Sequence, residues 1–527
     1  MVMFNNRVPI MRNQALIGAF LFLVGLWVAW QLGGKIVAGD LEGITFAALG
    51  FGACAVGFTI LRNWRLGFYL FLVWLLFEDL ARKYLGNNLA LFFGKDILAA
   101  LVYVALFVEI RRGREKSFRP PFLLPLVIFV WLGAVQVFNQ NSPHILYGLL
   151  GFKVYFFYIP LMWAGYALIR NDRDLRNFLL VTAGLSIVIA AVGIVQAIVG
   201  NSFLNPAVLA PELRELGDLN KVTPISNQMF NLPDSVFVSA GRFSFYLIMA
   251  FIIAMGTAGY LLLEGSRGRK TIFATIAVLG GAALFSGSRG AVMYSAITVL
   301  VLAIGFLWGA PWRWGQAHRL VKAIRRSFIV AALGIGAILL FFPDEAGSRI
   351  AFYVETLAPS SSAYAVSNRS WDYPIQNLMG VFGEPNWVLG NGIGIASLGA
   401  QYVAKLIHQP LPGLWVEEGY GVLIIELGIV APFLWLIWTG ALLYCSWKIV
   451  RQLRETRFLP IALAIFWYAF VLLYPLTYGG LAPYQNYICN AFLWLLIGIL
   501  FRLPDVLANP QAIAIVPEQA KANRILP

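Results

Sequence analysis

Charged residues, cysteines and histidines are all scarce in this chain of 527 residues. Charged residues make up 12% of the chain and hydrophobic residues 60%, whereas about a quarter of the residues in a soluble domain are charged. The three cysteines lie in separate apolar segments and the three histidines are scattered. The sequence therefore predicts no disulfide framework, no metal centre and no cofactor. The composition is typical of a polytopic membrane protein.

Long apolar runs recur along the chain, at the length of about 17 to 25 residues that a helix needs to cross a hydrocarbon core. We predict an all-α fold, a polytopic transmembrane helix bundle of about 14 spans, with 12 to 14 compatible with the pattern. The predicted spans are 15–33, 43–62, 65–80, 95–110, 121–138, 151–169, 178–199, 243–263, 271–286, 290–309, 327–343, 421–446, 458–475 and 485–501. The third and fourth are the least regular, because Glu78, Asp79, Arg82 and Lys83 interrupt them.

The longest interruption between apolar runs divides the chain. We expect five segments: N-terminal transmembrane helices (1–199), central transmembrane helices (200–342), a large outer loop with short helices (343–420), C-terminal transmembrane helices (421–502) and a disordered tail (503–527). A membrane chain that carries a large polar loop between two spans generally uses it, so we expect the chemistry there.

Lysine and arginine predict the orientation, because cytoplasmic loops carry an excess of both. With the N-terminus inside, every inner stretch holds two or more basic residues. This arrangement places both termini in the cytoplasm and the large loop outside. The net charge of +14 is then mainly a topology signal, and we expect no nucleic-acid partner.

Two arginines open predicted spans on the outer side. Arg289 lies in the turn Ser286-Gly287-Ser288-Arg289-Gly290, where small residues allow a tight backbone and the helix dipole favours anions. Arg242 opens the eighth span at the same level. Each position fits either an anion contact or an interfacial anchor whose aliphatic stem lies in the apolar layer.

A third outer arginine, Arg369, lies in the large loop two residues before Trp371, and its guanidinium group could stack on that ring. Far from any span, it has no anchoring role to explain it. Arginine forks fit phosphate oxygens, so the three arginines together could grip a polyanion such as a pyrophosphate. Ser288, Trp371 and Tyr420 are further candidate substrate contacts.

Adjacent carboxylates, Glu417 and Glu418, stand just before the twelfth span. They fit favourable charges at a helix N-terminus, and they equally fit a general base, since neighbouring carboxylates raise one another's pKa. Glu426, inside the span, needs a bonded neighbour or a cavity. We interpret Gly390-Asn391-Gly392-Ile393-Gly394 as a tight turn that packs backbone against its neighbours, and His408 as an ordinary loop residue.

In order and spacing, these features resemble the O-antigen ligase and polysaccharide polymerase superfamily of bacterial inner membranes. The resemblance covers roughly residues 193–432. It rests on Gln196 at the end of the seventh span, the Ser288-Arg289-Gly290 turn, Arg369 with Trp371, the glycine run and Glu426-Leu427-Gly428.

The resemblance implies a metal-independent glycosyltransferase with a polyprenyl-diphosphate-linked glycan donor and a glycan or lipid-linked acceptor. An acceptor hydroxyl would attack the anomeric carbon, and arginines would stabilise the leaving diphosphate. It also implies a bacterial inner-membrane location with the loop in the periplasm, contacts with membrane lipids and a chain-length regulator as a candidate partner.

One position departs from the family pattern. Ligases of the family carry a histidine about nine residues before the Glu-x-Gly motif, where this chain has Glu417. Polymerases vary more at this position. We therefore favour a polymerase of an exopolysaccharide, capsule or O-antigen, with an O-antigen ligase or a protein-glycosylating relative as alternatives.

A polytopic transporter or lipid-linked-glycan flippase is the alternative from another class. It would need ionisable residues deep within the spans. Such residues are scarce here apart from Glu426 and the third span, and clustered outer arginines suit one-sided chemistry better. The sequence therefore favours the enzyme.

Overall fold

The computed structural model describes residues 50, 52, 55–86, 89–205, 220–265, 268–309, 340–397, 399–413, 416, 419–474 and 480–508, with isolated positions between 318 and 336. These residues fall into two compact units, one built on the described parts of 1–72 and 96–107, the other on those of 73–95 and 108–527. All contacts discussed below lie within the second unit.

The described residues are mainly helical. The helices are α1 (Trp64–Leu85), α2 (Leu89–Arg111), α3 (Leu123–Gln136), α4 (Ile145–Phe156), α5 (Leu161–Leu168), α6 (Asp172–Val199), α7 (Ala240–Glu264), α8 (Arg269–Phe285), α9 (Arg289–Gly309), α10 (Pro343–Leu357), α11 (Tyr373–Val381), α12 (Ala400–Leu406), α13 (Gly419–Leu427), α14 (Ala431–Gln452), α15 (Leu459–Leu473), α16 (Ala482–Gln485) and α17 (Tyr487–Ala508). One short hairpin, β1 (Asn220–Val222) with β2 (Met229–Asn231), accompanies them.

The helices support the predicted class. In the part of the chain that the structure describes, seven helices are long and apolar enough to cross a membrane. Helices coincide with the predicted spans from the third to the tenth and from the twelfth to the fourteenth. The first predicted span lies outside the described residues, as do most of the eleventh and part of the second. The protein is an all-α membrane protein, and the count of about 14 spans stays a prediction.

Exposure separates lipid-facing helices from core helices. On α3, Leu124 and Trp131 are exposed, and on α9 so are Ile304 and Leu307. Exposed apolar side chains on a long apolar helix fit a lipid-facing surface. In contrast, α7 and α17 are largely buried, as expected of helices that are apolar on all sides.

A close helix crossing joins α5 to α17. A Cβ atom on Gly165 would lie 2.0 Å from the carbonyl oxygen of Leu495, and one on Gly498 would lie 2.0 Å from that of Met162. Small residues in these positions let the two backbones approach, as in many membrane helix pairs.

The structure changes three predicted boundaries. The third span, α1, continues without a break through Glu78–Lys83 to Leu85. The twelfth is divided at Gly428, whose φ is +88°, into the buried α13 and the longer α14. The last helix continues into the tail predicted to be disordered, as far as Ala508, and within it Arg502 forms an ion pair with Asp505 at 2.6 Å. The rest of the tail lies outside the described residues.

Two buried polar side chains, Arg349 and Gln136, bind the ends of helices within the larger unit. The buried Arg349 donates to the carbonyl oxygens of Ala197 at the end of α6, Phe285 at the end of α8 and Asn231 in β2. Gln136, at the end of α3, donates to the carbonyl oxygen of Leu389 before the glycine run. Arg349 therefore joins the ends of α6 and α8 to β2, and Gln136 joins the end of α3 to the segment before the glycine run, while the predicted orientation in the membrane stays a prediction.

Candidate functional site

The turn before α9 has the predicted form. Gly287 adopts a φ of +65°, and a Cβ atom there would lie 2.6 Å from Leu232 and 2.7 Å from Phe230. Ser288 caps the helix, accepting a hydrogen bond from the amide of Ala291 at 3.3 Å. The tight, glycine-dependent turn fixes Arg289 as the first residue of α9, where the helix dipole favours anions.

Arg289 shares an aromatic surface with a lysine that the sequence analysis did not select. The Lys221 ammonium lies 4.3 Å from the ring centroid of Phe352, and the Arg289 guanidinium 5.7 Å from the same centroid. Lys221 is held there by the hairpin, in which it pairs with Phe230. The ring centroids of Phe230 and Phe352 lie 5.4 Å apart. The hairpin and α10 together therefore form the aromatic surface that Lys221 and Arg289 contact.

Arg369 lies close to the same lysine. Burial lowers the pKa of Lys221 to about 8, with further lowering by the positive charges of Arg289 and then of Arg369. A nearby positive charge disfavours the charged form of a lysine and so lowers its pKa. We call Lys221, Arg289 and Arg369 the cation cluster.

The cation cluster lacks protein counter-charges for two of its members. Among the residues that the structure describes, no carboxylate forms an ion pair with Lys221 or Arg289. Mutual repulsion without a protein anion costs free energy, which a bound polyanion would relieve. The arrangement is therefore suited to binding a group such as a diphosphate.

Arg369 lies against an aromatic ring that the sequence did not single out. Arg369 lies in a short π-helical turn, Asn368–Asp372, and its guanidinium group is 4.9 Å from the ring centroid of Tyr373. The helical turn carries Tyr373 under the guanidinium group, while Trp371 is 70% exposed. The predicted stacking of Arg369 on Trp371 stays a prediction.

A carboxylate fixes the tip of the hairpin. Glu355, on α10, accepts hydrogen bonds from the amides of Ile225 at 2.7 Å and Ser226 at 3.1 Å. Hydrogen bonding to Ser226, followed by that to Ile225, lowers the pKa of Glu355. This carboxylate therefore serves the hairpin backbone and tethers the strand that carries Lys221.

Arg242 lies in a different set of contacts. Its Nη1 atom is 2.7 Å from Oδ2 of Asp79 and 3.0 Å from Oδ1, and its guanidinium group is 5.2 Å from the Tyr487 ring centroid. Asp79 also pairs with Arg82 at 3.0 Å. The ion pair with Asp79 compensates the Arg242 charge, so the structure does not bring Arg242 into the cation cluster, and its substrate contact stays a prediction.

The ion pair belongs to a larger buried charge cluster. Its members are Glu78, Asp79, Arg82, Lys83, Lys95, Asp234 and Arg242. Lys95 lies 2.9 Å from Glu78, and Lys83 lies 2.9 Å from Asp234. These pairs explain how α1 carries four charged residues without a break, since buried charges persist when they are paired.

Gln196 ties the end of α6 to this cluster. Its amide donates to Oδ1 of Asp234 at 2.7 Å and accepts from the amides of Asp234 and Ser235 at 3.0 and 2.7 Å. The residue that the resemblance singled out is therefore fully buried and bonded to the loop before α7.

The glycine run is confirmed as a backbone-packing turn. Gly390, Gly392 and Gly394 all have positive φ, and the Gly394 backbone lies against Gly151. Glu426 is confirmed as bonded, accepting from the Tyr155 hydroxyl at 2.8 Å and the Ala396 amide at 3.0 Å.

The remaining candidate residues differ in whether the structure describes them and in how exposed they are. Glu417 and Glu418 lie outside the described residues. Tyr420 is buried at the start of α13, while His408 is an exposed turn residue with a φ of +55°. Within the described ranges, no three His, Cys, Asp or Glu side chains are grouped so that they could hold a metal ion.

Lys221 and Arg349 are candidate residues of this region that the sequence did not single out. Each is a basic residue on the side predicted to be outer, where such residues are few, and this was the available signal.

Comparison of the chain with models of protein families, with curated proteins and with solved structures gives no match.

Proposed function

We propose that this protein is an integral-membrane glycosyltransferase that uses a polyprenyl-diphosphate-linked glycan at the outer face of a bacterial inner membrane. Polymerisation of an exopolysaccharide, capsule or O-antigen is the activity favoured, with ligation of O-antigen or protein glycosylation as relatives of it. The observation that supports the proposal is the cation cluster, in which Arg289 shares the Phe352 ring with Lys221 and the charges of Arg289 and Arg369, both predicted from the sequence, act on Lys221.

The proposed reaction needs little besides charge stabilisation. An acceptor hydroxyl oxygen forms a bond to the anomeric carbon, and the bond from that carbon to the diphosphate oxygen breaks. The electron pair leaves with the diphosphate, where preorganised cations stabilise the developing charge. The hydroxyl proton passes to a base, for which Glu417 is the candidate and Glu418 its substitute.

Removing the cluster charges tests this proposal. We expect Arg289→Ala or Arg369→Ala to abolish polymer formation while the protein still inserts into the membrane. A matched control is Arg112→Ala, since Arg112 is exposed and pairs with Glu109. Long glycan made at wild-type level by both cluster variants would contradict the proposal.

The buried charge cluster is the observation that favours transport, the second candidate. A translocation pathway needs ionisable groups along the helices, and this cluster supplies several. However, Arg242 lies at the start of α7 and Lys83 in the last turn of α1, so part of this cluster lies at helix ends. A flippase predicts that loss of the protein leaves lipid-linked glycan on the cytoplasmic side only, which labelling of intact spheroplasts measures.

A further inference from the structure

The loop helix α11 has two apolar faces. One face is covered, because Val381 and Leu378 pack with Ile395, Ile424 and Ile425, the last two from α13. This contact fixes α11 against the segment that leads into the spanning helix α14. A helix of this length needs only one such face to be held in place.

The second face carries large apolar side chains that are substantially exposed in the part of the chain that the structure describes. Trp371, Ile375, Met379 and Phe382 are 70%, 39%, 60% and 39% exposed. Their spacing places them on one side of the helical segment. A contiguous exposed apolar surface indicates an interaction site with protein or membrane.

The exposed face continues into the lipid-facing surface of α14. The Phe382 ring lies 5.1 Å from that of Trp387, and the next residue, Val388, accepts a hydrogen bond from the amide of Ile429 at 3.2 Å. Ile429 leads directly to α14, on which Phe433 is 63% exposed. Both exposed apolar surfaces therefore fit contact with lipid.

The charge at the start of the segment agrees with this environment. Arg369 precedes Trp371 by two residues, and amphipathic interfacial helices combine such basic residues with buried apolar rings at the headgroup level. We infer that α11 is an interfacial helix whose Trp371–Phe382 face lies on the outer leaflet of the bilayer and holds Arg369 at the level of the lipid headgroups. This inference is independent of the proposed enzymatic reaction.

Site-directed spin labelling of the full chain in lipid nanodiscs tests the inference. The native Cys54, Cys445 and Cys489 are first replaced by alanine, and single cysteines are introduced as Ile375→Cys and Met379→Cys. The matched control is Gln376→Cys, an exposed polar position on the same helix. Collisions of each label with oxygen, which partitions into lipid, are compared with those of a water-soluble nickel chelate.

We expect labels at 375 and 379 to collide several-fold more with oxygen, relative to nickel, than the label at 376. Equal access of nickel to all three positions would show that the face lies in water and would overturn the inference. Protection of 375 and 379 from both reagents would show that protein covers the face, a second copy or another chain segment, and would overturn it too.

Discussion

Lys221 makes anion binding by the cation cluster dependent on pH. With a pKa of about 8, roughly 90% of the free protein carries the Lys221 ammonium at pH 7 and roughly 10% at pH 9. The ammonium is the form that binds a diphosphate, and a bound anion raises the pKa further. Affinity is therefore present below pH 8 and is lost as the pH rises through 8.

The expected loss is about tenfold in apparent Kd between pH 7 and pH 9, since apparent affinity falls with the competent fraction. Calorimetric titration of the full-length protein in nanodiscs with a short prenyl diphosphate measures it. A phosphate group is already mainly ionised over this range, so the probe contributes little to the slope.

Two variants isolate the lysine. Lys221→Arg keeps the charge at all these pH values, and we expect a flat profile with affinity near that of the wild type at pH 7. Lys221→Met removes the charge, and we expect weak binding without a slope. A tenfold loss that persists in Lys221→Arg, or a flat wild-type profile, would refute the reasoning.

Two further predictions concern stability. We expect Gly498→Ala to destabilise the protein by about 1 to 3 kcal/mol, because its Cβ atom would lie 2.0 Å from the Met162 carbonyl oxygen; thermal unfolding in detergent measures this. The control is Gly184→Ala, which meets nothing within 4 Å, and equal midpoints for both variants would contradict the prediction. We also expect Asp79→Asn to cost about 3 to 5 kcal/mol, since it leaves buried cations unpaired, and adding Arg242→Met should recover part of the loss. An additive double variant would show that the two side chains do not interact.

Hydropathy predicted the helices well because the length of a membrane span is set by the bilayer. It was less informative where charges are paired. The α1 helix continues through Glu78 and Asp79 because Lys95 and Arg242 neutralise them, and these partners are distant in sequence. The break at Gly428 likewise depends on contact with the Gly390 backbone.

In the site, too, features encoded by neighbouring residues were predicted, and contacts between residues distant in sequence were not. Small residues and a helix start identified the Arg289 turn, since that geometry is encoded locally. Lys221 and Phe352 meet only when the hairpin folds onto α10, and no local pattern encodes this contact. The contact of Arg369 with Tyr373 was likewise not expected from the sequence.

The size distribution of surface and lipid-linked glycan in a strain lacking this protein tests the proposed function most directly. We predict loss of long chains, with single repeat units persisting on the lipid carrier or acceptor, and restoration by the wild-type chain but not by Arg289→Ala. Long chains that remain on the polyprenyl carrier would instead indicate a ligase. An unchanged glycan profile would contradict the account and favour transport.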